Sequence, residues 1–139
     1  MDKKLAIDSA KKYYSEIPYH NFEHALHVAK KSEEIAEQCE KEGISISKKV
    51  IFYAALFHDA GYAEKSEFQS KEEYSAYLAG KALETLGVDK ETIIKVKQAI
   101  IATHQLATFG TPEEKIVRTA DLSGLAASYE EFIELKKRI

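Results

Sequence analysis

A single cysteine among 139 residues excludes an intramolecular disulfide. Cys39 also has no Cys-x-x-Cys neighbour that could hold zinc, so it is expected to pack on a helix face in a reducing compartment. No apolar run is long enough to span a bilayer, and Met1 to Ile7 has two lysines but neither a long apolar stretch nor a small-residue cleavage site. The chain is therefore expected to stay in the cytoplasm, off the membrane. Basic charge is not in excess either. The 20 basic and 23 acidic residues are spread along the chain and leave a net charge of -3, without the stripe that nucleic-acid polymers require. Small phosphorylated ligands stay open, since an ion and a few local lysines suffice for a phosphate.

Two prolines and six glycines punctuate an otherwise helical periodicity, which predicts one all-α domain over residues 1–139, a bundle of about six or seven helices. The first helix is expected over residues 2–16, ending ahead of Ile17-Pro18. The second runs from Asn21 to Glu42 and stops at Gly43; the third is capped by Ser47 and reaches His58. A polar loop, Ala63 to Ser70, follows. Ser70-x-x-Glu73 reads as a capping box opening a fourth helix, in which Tyr74, Tyr77, Leu78 and Leu83 are apolar, and which closes near Gly87. Asp89 caps a fifth helix that aligns Ile93, Val96, Ile100 and His104 on one face. A loop from Gln105 to Gly110 leads to Thr111-Pro112, which opens a sixth, and Ser128-x-x-Glu131 offers a cap for a short last helix.

The chemistry gathers at His58-Asp59, which end the apolar run Val50 to Phe57. Adjacent ionisable side chains on such a helix are costly to bury unless something binds them, and a metal ion is the expected partner. The two point about 100° apart on a regular helix, so both reach one ion only if the helix ends there, as Gly61 permits. Asp121 shares a face with Val117 and Leu125 and needs a partner, which could be backbone amides, an arginine or a metal. His20, His24 and His27, at spacings of four and three, line one side of the second helix, and spacing does not choose among them. Imidazoles with carboxylates suit manganese, iron, cobalt or zinc better than calcium.

Three segments carry a resemblance: Tyr19-His20-Asn21-Phe22-Glu23-His24-Ala25-Leu26-His27-Val28, then Ala55-Leu56-Phe57-His58-Asp59-Ala60-Gly61-Tyr62, then Thr119-Ala120-Asp121-Leu122. They resemble the successive motifs of the HD superfamily of metal-dependent phosphohydrolases, and the first is also similar to the Tyr-His-Asn-x-x-His-Ala segment of the cyclic nucleotide phosphodiesterases. The resemblance implies His24, His58, Asp59 and Asp121 as metal ligands and His20 as general acid, with Asp59 bridging two ions where a second, such as magnesium, is bound. Ala102-Thr103-His104 resembles the further histidine of dinuclear members, although this chain has one histidine where those have two. Lys71-Glu72-Glu73-Tyr74-Ser75-Ala76 resembles the Asn-Glu-x-x-Ser-Ala pattern of small bacterial HD proteins, with Lys71 replacing Asn, so that Glu72 is a candidate for the second ion or the substrate; a solvated first-turn glutamate is the plain alternative.

The expected activity is hydrolysis of a small phosphate ester such as a nucleotide, by water that the ion activates. Lys30, Lys31 and Arg118 could contact phosphate, but exposed basic residues are ordinarily solvated surface and are not carried as site residues. Two alternatives stand beside this reading. One is a di-iron oxygenase of the same fold, acting on a phosphonate or a polyol; the other is a sensor that binds metal or nucleotide without turnover. Homodimerisation through a helix face is compatible with either.

Overall fold

A computed structural model describes residues 3–14, 21–62, 66–104 and 110–128, with the side chains of 123–128 excepted. Among these residues there are six helices and no strand: α1 (Lys3–Lys11), α2 (Phe22–Lys41), α3 (Lys48–Phe57), α4 (Lys71–Thr85), α5 (Lys90–Ile101) and α6 (Pro112–Ser128). The expected all-α architecture is the observed one.

The helix starts follow from their caps. Asn21, Ser47, Ser70 and Asp89 each adopt extended backbone and accept a hydrogen bond from the N–H three residues on, satisfying donors that the first turn leaves free. The Thr111 hydroxyl likewise accepts the Glu114 N–H, at 3.2 Å. Two stops are glycine stops: Gly43 and Gly87 have φ of 82° and 81°, where a side chain would be strained. Beyond them, Ile44 N–H returns to the Cys39 carbonyl and Val88 N–H to that of Leu83, closing α2 and α4.

α3 forms the axis of the molecule. Every residue from Val50 to Phe57 is buried, and α1, α2, α4, α5 and α6 all pack against it. Large apolar side chains of this kind contribute about 1.5–3 kcal/mol each when taken out of water, which accounts for a stretch with no solvent face. Its first turn is fixed to α6, where Ser47 N–H donates to Glu113 Oε2 at 2.8 Å. Its last turn delivers His58 and Asp59. Cys39, half-buried, packs against the core as expected. No helix among the described residues is long and apolar enough to cross a membrane.

Several boundaries depart from the sequence reading. α1 ends at Lys11, not at residue 16: turn hydrogen bonds from Tyr13 and Tyr14 to the carbonyls of Ala10 and Lys11 follow it, and both rings dock on other helices, Tyr13 on Phe57 and Tyr14 on Phe22. Those distant contacts override helix propensity. α5 ends at Ile101, so His104 lies in the following turn and is half-buried; it does not continue the face of Val96 and Ile100. Arg118 Nη1 donates to the Thr103 carbonyl at 2.5 Å, in the turn that follows α5. Tyr77 is exposed, while α4 buries Leu83 as expected, together with Ser75, Ala76, Ala79 and Ala82. α6 continues through Ser128, where a new cap was expected; the rest of the short last helix lies outside the described residues.

Candidate metal centre

The end of α3 is built from side chains supplied by its neighbours. His58 turns Nδ1 back to the Ala55 carbonyl, at 2.6 Å. A carbonyl only accepts, so Nδ1 carries a proton and Nε2 points away, toward two carboxylates. It lies 3.3 Å from Asp59 Oδ2 and 3.2 Å from Asp121 Oδ1. His24, from the first turn of α2, brings Nε2 to 3.1 Å from the same Asp121 oxygen and 3.6 Å from Asp59 Oδ2. The Asn21 side chain that caps α2 does so by accepting the His24 N–H at 2.9 Å, so the cap and the placement of the imidazole are one arrangement. The two rings meet edge to face, 5.3 Å between centroids.

Four donor atoms, two imidazole nitrogens and two carboxylate oxygens, thus lie within 4.8 Å of one another. Around an octahedral ion with bonds of about 2.1 Å, neighbouring donors are about 3.0 Å apart and opposite ones about 4.2 Å, which is the scale observed. The donor set fits a divalent first-row ion, with His58 Nδ1 fixed by a backbone carbonyl in the manner of metal-ligating histidines. His58 is buried, and the side chains of His24 and Asp121 keep 10% and 21% of their exposure, so the cluster faces solvent on the α2 and α6 side.

Electrostatics agree with the geometry. Burial alone would push the His58 imidazole down, but the Asp59 charge and the hydrogen bond to Asp121 outweigh it and hold the group well above its ordinary value. Burial alone would push the Asp121 carboxyl up, but hydrogen bonds from His24 and then His58 outweigh it and hold it well below the carboxylate range. Two carboxylates at one point attract positive charge, which is supplied by a proton or by an ion.

α4 fits against the turn after Asp59. Gly61 N–H donates to the buried Ser75 Oγ at 2.8 Å. A Cβ on Gly61 would lie 2.8 Å from Tyr74 Cδ2 and 2.9 Å from Ser75 N, so only glycine permits this approach. Tyr62 donates its hydroxyl to Glu72 Oε2 at 3.0 Å. Burial first, and then the charges of Glu72 and Asp59, push the Tyr62 phenol up, so it remains a donor. Glu72 and Ser75, three positions apart, both serve this docking.

Of the residues singled out in the sequence, His24, His58, Asp59 and Asp121 come together. His27 is exposed, on the outer side of α2. His104 and Glu72 do not join the four-atom cluster, and His20 lies outside the described residues. Arg118 is engaged with the Thr103 carbonyl, and no sequence signal revealed that role. Tyr14 and Tyr62 were not singled out; the placement of Tyr62 three residues after Asp59 is the only available sign for either.

His-Asp, a second His and a second Asp thus meet at the tip of a buried helix in an all-α domain, as a candidate metal site. The chain matches the HD domain family over residues 21–123, and it belongs to that family. Searches of the curated proteins and of the solved structures gave no significant match.

Proposed function

We propose that this HD domain is a metal-dependent phosphohydrolase acting on a small phosphate ester such as a nucleotide, either a monoester or a diester. One observation carries the reading: donors from α2, α3 and α6 converge within 4.8 Å, in the order along the chain that the HD motifs have. His24, His58, Asp59 and Asp121 would hold the ion, of which manganese, iron, cobalt and zinc suit the donors, with magnesium a candidate for a second site. An ion so held supplies Lewis acidity toward a phosphoryl oxygen and lowers the pKa of water.

The protein's own part is positioning and proton transfer. His58 keeps its Nδ1 proton on the Ala55 carbonyl, which leaves Nε2 free to coordinate once its own proton is displaced. Asp59 and Asp121 neutralise the cation. His20 is the proposed general acid, donating a ring proton to the leaving oxygen, a role worth about 10² to 10⁴ in rate. Glu72, whose Oε2 accepts from the Tyr62 hydroxyl, is the proposed contact for substrate or for a second ion.

The test is metal analysis of the purified protein, followed by turnover of nucleotides and other phosphate esters with manganese, iron or magnesium added. Asp59→Ala should lose both bound metal and turnover. Unchanged metal content in that variant removes the assignment. Oxygen-dependent turnover with an iron signature would point to the oxygenase, and nucleotide binding without turnover under any metal to a sensor.

A further inference from the structure

A helix that ends in the core must place its last carbonyls somewhere. At the end of α3 three successive carbonyls find three different partners. Ala55 O accepts from His58 Nδ1 at 2.6 Å, and Phe57 O accepts from Ala60 N–H at 3.0 Å. Leu56 O, between them, accepts from the Tyr14 hydroxyl at 2.7 Å, across 42 positions of sequence. The same hydroxyl oxygen accepts the Asp59 N–H at 3.3 Å. One phenol therefore bonds to the backbone on both sides of His58.

We propose that Tyr14 is a positioning residue for the metal centre: its hydroxyl, bonded to Leu56 O and Asp59 N–H, fixes where α3 stops, so that His58 and Asp59 face the same ion. The inference rests on the metal-centre reading above. Successive residues of a regular helix point about 100° apart, and both can serve one ion only if the backbone leaves the helix between them. Tyr14 fastens the chain at that departure. Its ring also meets Phe22, the first residue of α2, at 5.9 Å between centroids, two positions before His24. The short turn after α1 thus bears on three of the four ligands, and the early end of that helix is what frees Tyr14 to reach them. Leu56 O can only accept, so the hydroxyl proton lies on that side and the oxygen's lone pair faces the Asp59 N–H.

The experiment compares Zn²⁺ affinity, by competition with a chromophoric chelator well below the melting temperature, in the wild-type protein and Tyr14→Phe. That variant keeps the ring and removes both hydrogen bonds. Binding weakened about 10- to 100-fold, the usual cost of losing a group that orients a ligand, with helix content unchanged, is the expected result. Equal affinity in the two proteins overturns the role of Tyr14 and leaves the metal centre standing. A wild-type protein that binds none of Zn²⁺, Mn²⁺, Co²⁺ and Fe²⁺ overturns both. Should Tyr14→Phe fail to fold, the wild-type protein carrying ¹³Cζ-tyrosine decides: the Tyr14 resonance should shift in step with Zn²⁺ occupancy, and a resonance that stays still overturns the proposal.

Discussion

His24 and Asp121 stand 97 positions apart in the chain, yet Nε2 of one lies 3.1 Å from Oδ1 of the other. The contact joins the first turn of α2 to the middle of α6. His58 Nε2 reaches the same oxygen at 3.2 Å, so Asp121 is the point where three helices meet.

Asp121→Asn keeps the shape and removes the charge. Metal affinity measured by titration calorimetry should fall at least tenfold, because an amide is a poorer ligand for a divalent ion than a carboxylate. In the metal-free protein the His58 resonance should titrate at lower pH, since one of the two carboxylates that hold its proton is gone. Full retention of both properties would falsify Asp121 as a ligand.

Metal binding should be coupled to pH through His58. Its folded-state value is raised, so its contribution to metal-free stability is complete below the ordinary value of 6.5 and is lost as pH rises through the shifted one. Asp121 has the opposite sign: its contribution is present above the ordinary value of 3.8 and is lost as pH falls through the lowered one. An ion must displace the His58 Nε2 proton, so apparent affinity should rise about tenfold per pH unit until pH passes the His58 value. Calorimetry in buffers of different ionisation enthalpy counts the proton released. A pH-independent affinity with no release would contradict the assignment.

Gly61→Ala should separate α4 from the turn that follows Asp59. The added methyl carbon would lie 2.8 Å from Tyr74 Cδ2 and 2.9 Å from Ser75 N, and the second of these is backbone that cannot swing aside. A loss of about 1–3 kcal/mol in denaturant unfolding, with weaker metal binding, is expected from such overpacking.

Ser75→Ala strips the buried Gly61 N–H of its acceptor. Leaving a buried donor unpaired costs about 1–3 kcal/mol, and hydrogen exchange at the Gly61 amide should accelerate. Tyr62→Phe, on the half-buried rim, should cost less and leave metal content unchanged, because neither Tyr62 nor Glu72 is among the four clustered donors. A Tyr62→Phe protein that loses its ion would place this pair inside the coordination sphere.

Much of this was legible in the sequence because it is local. The caps at Ser47, Ser70 and Asp89 and the stops at Gly43 and Gly87 follow from short-range hydrogen bonding and backbone sterics, whereas Asn21, expected only as the start of α2, is its cap. His58-Asp59 stood out because charge at the end of a wholly apolar run is costly. His24 could not be separated from His27 by spacing; the structure separates them by turning His27 outward and His24 toward α6. The ends of α1 and α5 were misplaced for a shared reason: the groups that hold them, the rings meeting Tyr13 and Tyr14 and the guanidinium of Arg118, come from elsewhere in the chain. A periodicity sees neither. The same holds for Tyr14, whose partners lie 42 and 45 positions away.

The enclosure of α3 makes its length a fixed quantity. Ser47 ties its start to Glu113, and the donors sit at its far tip. One residue added or removed between them would turn the tip by about 100° and shift it by about 1.5 Å relative to His24 and Asp121. Side-chain exchange along that rod can be absorbed by repacking. A change in the number of its residues cannot, so insertions and deletions in the gene should be confined to the connections between helices and kept out of this one.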